Sequence, residues 1–157
     1  MFKEMRRQDR ELAPEETAEI LTNGVYGVLS LNGQNSGNHA YGVPVNYVYN
    51  GNCLYIHCAM EGEKLARIHN NNKVSFCVVG KANILPEKFS TQYSSVIAYG
   101  QAHAAGEEER VNALLAFIDK YSADFKEKGI EYVAKAQQKT QVVRIDIEHV
   151  TGKSRKA

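Results

Sequence analysis

A chain of 157 residues with 19 Lys plus Arg against 18 Asp plus Glu, formal net charge +1, has no overall field to gather nucleic acid or anionic lipid. Its 43% hydrophobic and 24% charged residues are those of a globular domain whose core needs neither disulfide nor structural metal. The opening MFKEMRRQDRELAPEET lacks the apolar stretch of a signal peptide, no run is long enough to span a bilayer, and the odd set Cys53, Cys58 and Cys77 reads as reduced core thiols, so a single cytoplasmic domain is expected.

Residues 1–13 are polar and read as an N-terminal arm. A first helix is expected over Pro14–Thr22, with proline in its first turn, Glu15 and Glu16 at its positive end, and Gly24 to stop it. The texture then changes to strands. Val25–Leu31 ends at Asn32-Gly33 and a Gly/Asn-rich loop to Asn38. Ala40–Tyr49 meets Asn50-Gly51-Asn52 and returns as Cys53–Met60, a strong hairpin signal because Asn-Gly tolerates positive φ. A short helix over Glu63–Asn70, a strand over Val74–Gly80, a loop holding Pro86 and a strand over Ser94–Ala104 follow. Val111, Leu114, Leu115, Ile118 and Tyr121 fall on one face of a helix over Glu107–Tyr121, and Glu127–Gln137 reads as another. In Gln141–Val150 the residues Val143, Ile145 and Ile147 alternate with Arg144, Asp146 and Glu148. The order is not the βαβα of a doubly wound sheet. A mainly β, six-stranded, antiparallel barrel with peripheral helices is expected.

The chemistry-bearing stretch is YGVPVNYVYNGNCLYIHCAMEGEKLARIHNN. Both faces of Val43–Tyr49 are largely apolar, and Pro44 removes a backbone donor in mid-strand. That pattern suits an edge or bulge whose free N–H and C=O groups, with the Asn46 amide, meet a flat, heteroatom-rich ligand. It also suits an edge strand protected from aggregation. Glu61-Gly62 leads into a helix start with Lys64 in its first turn. This is either a phosphate seat, with Glu61 and Glu63 opposing it unless they point away, or a plain glycine turn beside a solvated lysine. His57 and Cys58 are strand neighbours with opposite faces, so they do not share a metal ion. Gly152-Lys153-Ser154 has Ile147 where a P-loop needs glycine, and no GxGxxG follows a strand.

Arg6-Arg7-Gln8-Asp9-Arg10, Gly42-Val43-Pro44-Val45-Asn46-Tyr47, His57-Cys58-Ala59 with Gly62 and Lys64, Tyr93-Ser94-Ser95-Val96 with Gly100, and Thr151-Gly152-Lys153 occur in an order that resembles the pyridoxamine 5′-phosphate oxidase-like flavoproteins, in particular their nitroimidazole-resistance branch. The resemblance implies a homodimeric split β-barrel that binds FMN at the subunit interface. By similarity Val43, Pro44, Val45, Asn46 and Tyr47 line the isoalloxazine. Lys64, helped by Gly62 and Ser95, contacts the phosphate, and His57, Cys58 and Ala59 lie at the pocket. Glu63 stands where the classical oxidases carry a further basic ligand, and no pyridoxamine-binding residues are recognisable. The implied activity is reduction of a small aromatic or nitro-type substrate by a reduced nicotinamide, with no catalytic side chain assigned beyond the candidate His57. The alternative is a non-enzymatic flavin- or haem-binding protein, for which His57 is the potential axial ligand.

Overall fold

The computed structural model describes residues 1–33 and 38–156. Helix α1 spans Pro14–Asn23 and starts as its sequence dictates, with Glu16 accepting a hydrogen bond from the Ala13 N–H at 3.3 Å. Gly24 closes it, donating its N–H to the Ile20 carbonyl at 3.0 Å, at an ordinary φ of −61°. Glycine is needed there for space: a Cβ would run into the Tyr47 hydroxyl and come within 2.6 Å of Val78 Cγ1.

Among the described residues, seven strands form one antiparallel sheet: β1 (Gly27–Leu31), β2 (Tyr41–Val45), β3 (Val48–Tyr49), β4 (Cys53–Ala59), β5 (Lys73–Leu85), β6 (Ser90–Ala104) and β7 (Thr140–Arg155). Their order is β2-β1-β5-β6-β7-β4-β3. The expected count of six is corrected to seven because the run Ala40–Tyr49 breaks at Asn46 and Tyr47. Its first half pairs with β1 (Pro44 opposite Val28) and its second with β4 (Val48 opposite Tyr55). One stretch of chain therefore supplies both edges of the sheet, which must curl round to bring them within two residues of each other. The ladder stays open at that seam.

Tyr47 is the reason for the break. Its side chain is completely buried, donating its O–H to the Leu21 carbonyl and meeting Phe76 edge-on at 4.9 Å between centroids. Its backbone turns away from any strand toward the end of helix α3 (Glu107–Tyr121).

Three strands outrun their sequence signals. β5 and β6 continue their ladder from Lys81↔Ser94 to Leu85↔Ser90 and turn through Pro86–Lys88, with Phe89 at φ 48°. β7 extends to Arg155, opposite Tyr93. The loop expected from Gly33 to Asn38 lies partly outside the described residues.

The sheet separates two apolar clusters. Inside the curl, Leu29, Leu54, Ile56, Phe76, Val96 and Ile145 pack with Leu21 of α1. Outside it, Cys53, Tyr55 and Val142 meet Leu114 and Phe117 of α3 and Val133 of helix α4 (Lys126–Ala136). The remaining helix, α2 (Glu63–Asn70), is fastened across one end by Arg67, which donates to the Asn32 and His39 carbonyls at 2.9 and 2.8 Å and lies over the Tyr41 ring. No helix among the described residues is long and apolar enough to cross a membrane.

Candidate cofactor site

At the end closed by α2, β4 runs out at Ala59 and the chain turns through Met60–Gly62 into the helix. Gly62 has φ 143°, a conformation that side chains resist, and a Cβ there would meet nothing within 4 Å. The helix start is thus open, and no side chain caps its first N–H groups. Glu63 is drawn aside by Arg67, whose Nε donates to it at 2.7 Å one helical turn away. Among the described residues Lys64 stands in the first turn without such a partner, and Glu61, exposed in the turn before Gly62, is the acid that remains beside it. Burial pushes the Cys58 thiol up, and the Lys64 ammonium opposes that rise.

The other members of this group lie on β2. Val43 and Val45 turn inward against the same core cluster as Cys58 and Leu65. Between them Pro44 is exposed on the edge strand of the sheet, where its missing N–H breaks no ladder bond. Asn46 is exposed; its Nδ2 donates to the Val25 carbonyl at 2.9 Å, and its Oδ1 is left as an acceptor. Val43, Val45 and Cys58 thus share one core cluster, Ala59, Gly62 and Lys64 follow Cys58 at the turn into α2, and Asn46 lies at the seam beside Val25.

Three predicted residues are placed differently. The Tyr47 ring is enclosed in the core and reaches no open surface. His57 faces α3, opposite to Cys58, with its ring edge-on to Phe117 at 4.7 Å. Burial lowers its pKa, which favours the neutral imidazole. Ser95 stands apart. It pairs with Lys153 of β7, whereas Cys58 pairs with Gln141 of the same strand, about 40 Å away along the strand contour at about 3.3 Å per residue.

Sequence reasoning missed the residues that hold this end in shape. Arg67 frees the helix start and ties the β1–β2 connection, and its spacing four residues after Glu63 was the available signal. Lys120 and Tyr121 hold the seam beside Asn46. Only Tyr121 had a signal, as the last apolar position on its helix, and its hydroxyl had none.

The family model described as pyridoxamine 5′-phosphate oxidase matches residues 13–154. No curated protein matches the sequence. Among solved structures, the fold is shared with a candidate 5-nitroimidazole antibiotic resistance protein of Bacteroides thetaiotaomicron at 20% identity and TM-score 0.77, covering 91% of this chain and 85% of that one. It is shared with an FAD and heme binding protein of Mycobacterium smegmatis at 14% identity and TM-score 0.77, covering 94% and 74%. An FAD-binding protein of Mesorhizobium loti matches at 22% identity and TM-score 0.66, covering 94% and 98%. With nearly all of its strands inside the matched span, the chain belongs to the pyridoxamine 5′-phosphate oxidase family.

Proposed function

We propose that the protein is an FMN-binding oxidoreductase that reduces a small aromatic or nitro-type substrate with electrons from a reduced nicotinamide. The observation that carries this reading is the open helix start at Gly62, with Lys64 in its first turn and Glu63 drawn off by Arg67. A phosphate there would accept hydrogen bonds from the uncapped N–H groups and pair with the lysine. From that seat the edge strand Val43–Asn46 offers a free backbone margin and the Asn46 Oδ1 to a planar ring. When bound, the flavin supplies the hydride and electron chemistry, and the chain's own task is to hold it and to set access to it. The flavin-binding relatives in Mycobacterium smegmatis and Mesorhizobium loti support the cofactor class.

A homodimer belongs to this proposal. Tyr26, just before β1, with Val28 and Val79 on β1 and β5, leaves an uncovered apolar strip beside Ser95, the three side chains being 59%, 36% and 61% exposed. Two-fold docking through this strip would let Ser95 of each copy serve the site of the other, which accounts for its distance from Lys64 within one chain. The three free cysteines suit a reducing, cytoplasmic compartment.

A second reading, a haem- or flavin-binding protein without turnover, is favoured by His57 alone: an imidazole held toward its neutral form is an able axial ligand. The visible spectrum of gently purified protein, before and after loading with FMN and removal of excess, decides between them. A retained two-banded flavin spectrum followed by oxidation of a reduced nicotinamide is expected. A Soret band would promote the haem reading, a stable flavin without turnover across a broad acceptor panel would leave a binding protein, and a colourless protein would sink both.

A further inference from the structure

At the far end of β7 the ladder with β6 sets Tyr93 opposite Arg155 and Ser95 opposite Lys153. Residues two apart on a strand share a face, so two hydroxyls and two cations form one compact block. Arg10 of the N-terminal segment completes it, its Nη1 lying 3.5 Å from Tyr93 Oη, while Lys153 Nζ lies 5.9 Å from the centre of the Tyr93 ring. All five side chains are half-buried, which limits the motions they must give up on binding. The segment carrying Arg10 is fixed by the Leu12 N–H, which donates to the Gly152 carbonyl at 2.9 Å, and by a bridge between Glu11 and Lys153.

The local field is positive although the chain is nearly neutral. Burial would raise the Tyr93 phenol, but the hydrogen bond from Arg10 and the positive charges of Lys153 and Arg10 outweigh it and hold the group below its usual range. Of the nearby acids Asp9 and Glu16 have partners, while Glu11, whose backbone bridges Lys153, stands beside the block as one carboxylate against its three cations. Asp9 is taken by Arg7 through Nε at 2.8 Å and Nη2 at 2.5 Å, Glu16 accepts from Ala13, and Glu11 lines the adjoining groove of about 410 Å³ with Arg10 and Arg155.

We infer that Arg10, Tyr93, Ser95, Lys153 and Arg155 form an oxyanion seat for a phosphate group. Its donors are guanidinium, ammonium and hydroxyl, the set that recognises phosphate oxygens. The phosphate has two chemical sources: the 5′-phosphate of a flavin held between two copies, or the phosphates of a nicotinamide dinucleotide. The first source rests on the function proposed above; the seat itself does not.

Calorimetric titration of the full-length protein with inorganic pyrophosphate tests the seat directly. Wild type should bind it. Lys153→Met should weaken binding about tenfold, Tyr93→Phe should weaken it less, and Lys153→Arg should restore it. The source is read from two further ratios in the same variants. If the seat serves the flavin, Lys153→Met lowers the preference for FMN over riboflavin; if it serves the donor, it raises the KM for the reduced dinucleotide and spares that preference. Pyrophosphate binding without any flavin binding would remove the proposed function and leave the seat. Wild-type protein that ignores pyrophosphate, or Lys153→Met that folds and binds it unchanged, would overturn the seat.

Discussion

Tyr121 grips Tyr47 at both ends of its backbone: the phenol oxygen accepts the Tyr47 N–H at 3.1 Å and lies 3.0 Å from the Tyr47 carbonyl. The same oxygen lies 2.7 Å from the Val25 carbonyl, which also accepts from Asn46 Nδ2. Its single proton serves one carbonyl at a time, and Lys120 Nζ, 3.0 Å from the Tyr47 carbonyl, satisfies the other need. Side chains of α3 thus replace the ladder bonds missing at the seam. Replacing Tyr121 by Phe leaves the Tyr47 N–H without its partner and should cost about 1–3 kcal/mol, read by urea denaturation. Because Asn46 shares the Val25 acceptor, flavin affinity should fall as well. An unchanged midpoint would show that water takes over from the hydroxyl.

Lys64→Ala should weaken FMN binding by about tenfold and leave riboflavin binding nearly unaltered, since only FMN carries the phosphate. Arg67→Met makes a companion test. It releases Glu63 beside the same seat, so FMN affinity should drop although the substituted residue touches no ligand. Equilibrium titrations with both flavins check the pair, and equal losses for FMN and riboflavin would remove the phosphate assignment.

Adding a methyl group at Gly24 should destabilise the fold by about 1–3 kcal/mol, because the new Cβ has to displace the Tyr47 hydroxyl and Val78. Thermal unfolding of Gly24→Ala reads this directly. A wild-type Tm would mean that α1 can shift away without loss.

Acid should loosen the outer cluster through Arg144. Hydrogen bonds from Arg144, joined by Tyr55 at Glu109 and by His103 at Asp146, hold both carboxyls below their usual range. A carboxyl with a lowered folded pKa adds stability that is complete above its unfolded value and is lost as pH falls through the folded one. Stability should therefore decline below about pH 4, and Arg144→Met should flatten that decline. These side chains are about a third to a half exposed, so the effect should be modest. Denaturation midpoints between neutral and acid pH measure it.

Much of the sheet was legible because its signals are local: alternation in β7, Asn-Gly before β4, and proline with two acids at α1. The extensions of β5, β6 and β7 were not, because residues such as Lys81, Asn83 and Lys153 have no apolar alternation and are held by cross-strand pairing alone. The break at Asn46-Tyr47 was hidden for a related reason. Tyr47 reads as one more strand aromatic, and the groups that turn it inward come from Leu21, 26 residues before it, and Tyr121, 74 residues after it. At the site, the glycine turn and Lys64 were visible as neighbours in sequence, whereas the neutralising contact from Arg67 to Glu63 needed the helix to exist first.

The position of β7 also governs when the molecule can assemble. Among the described residues, β4 and β3 join the rest of the sheet only through β7, the last of the seven strands in chain order. While the chain leaves the ribosome, the β3–β4 hairpin therefore emerges about 80 residues before its partner, with Leu54 and Ile56 uncovered during the wait. Nascent chains stalled ahead of Thr140 should stay open to proteases along β4, and emergence of Thr140–Arg155 should close the sheet in a single step.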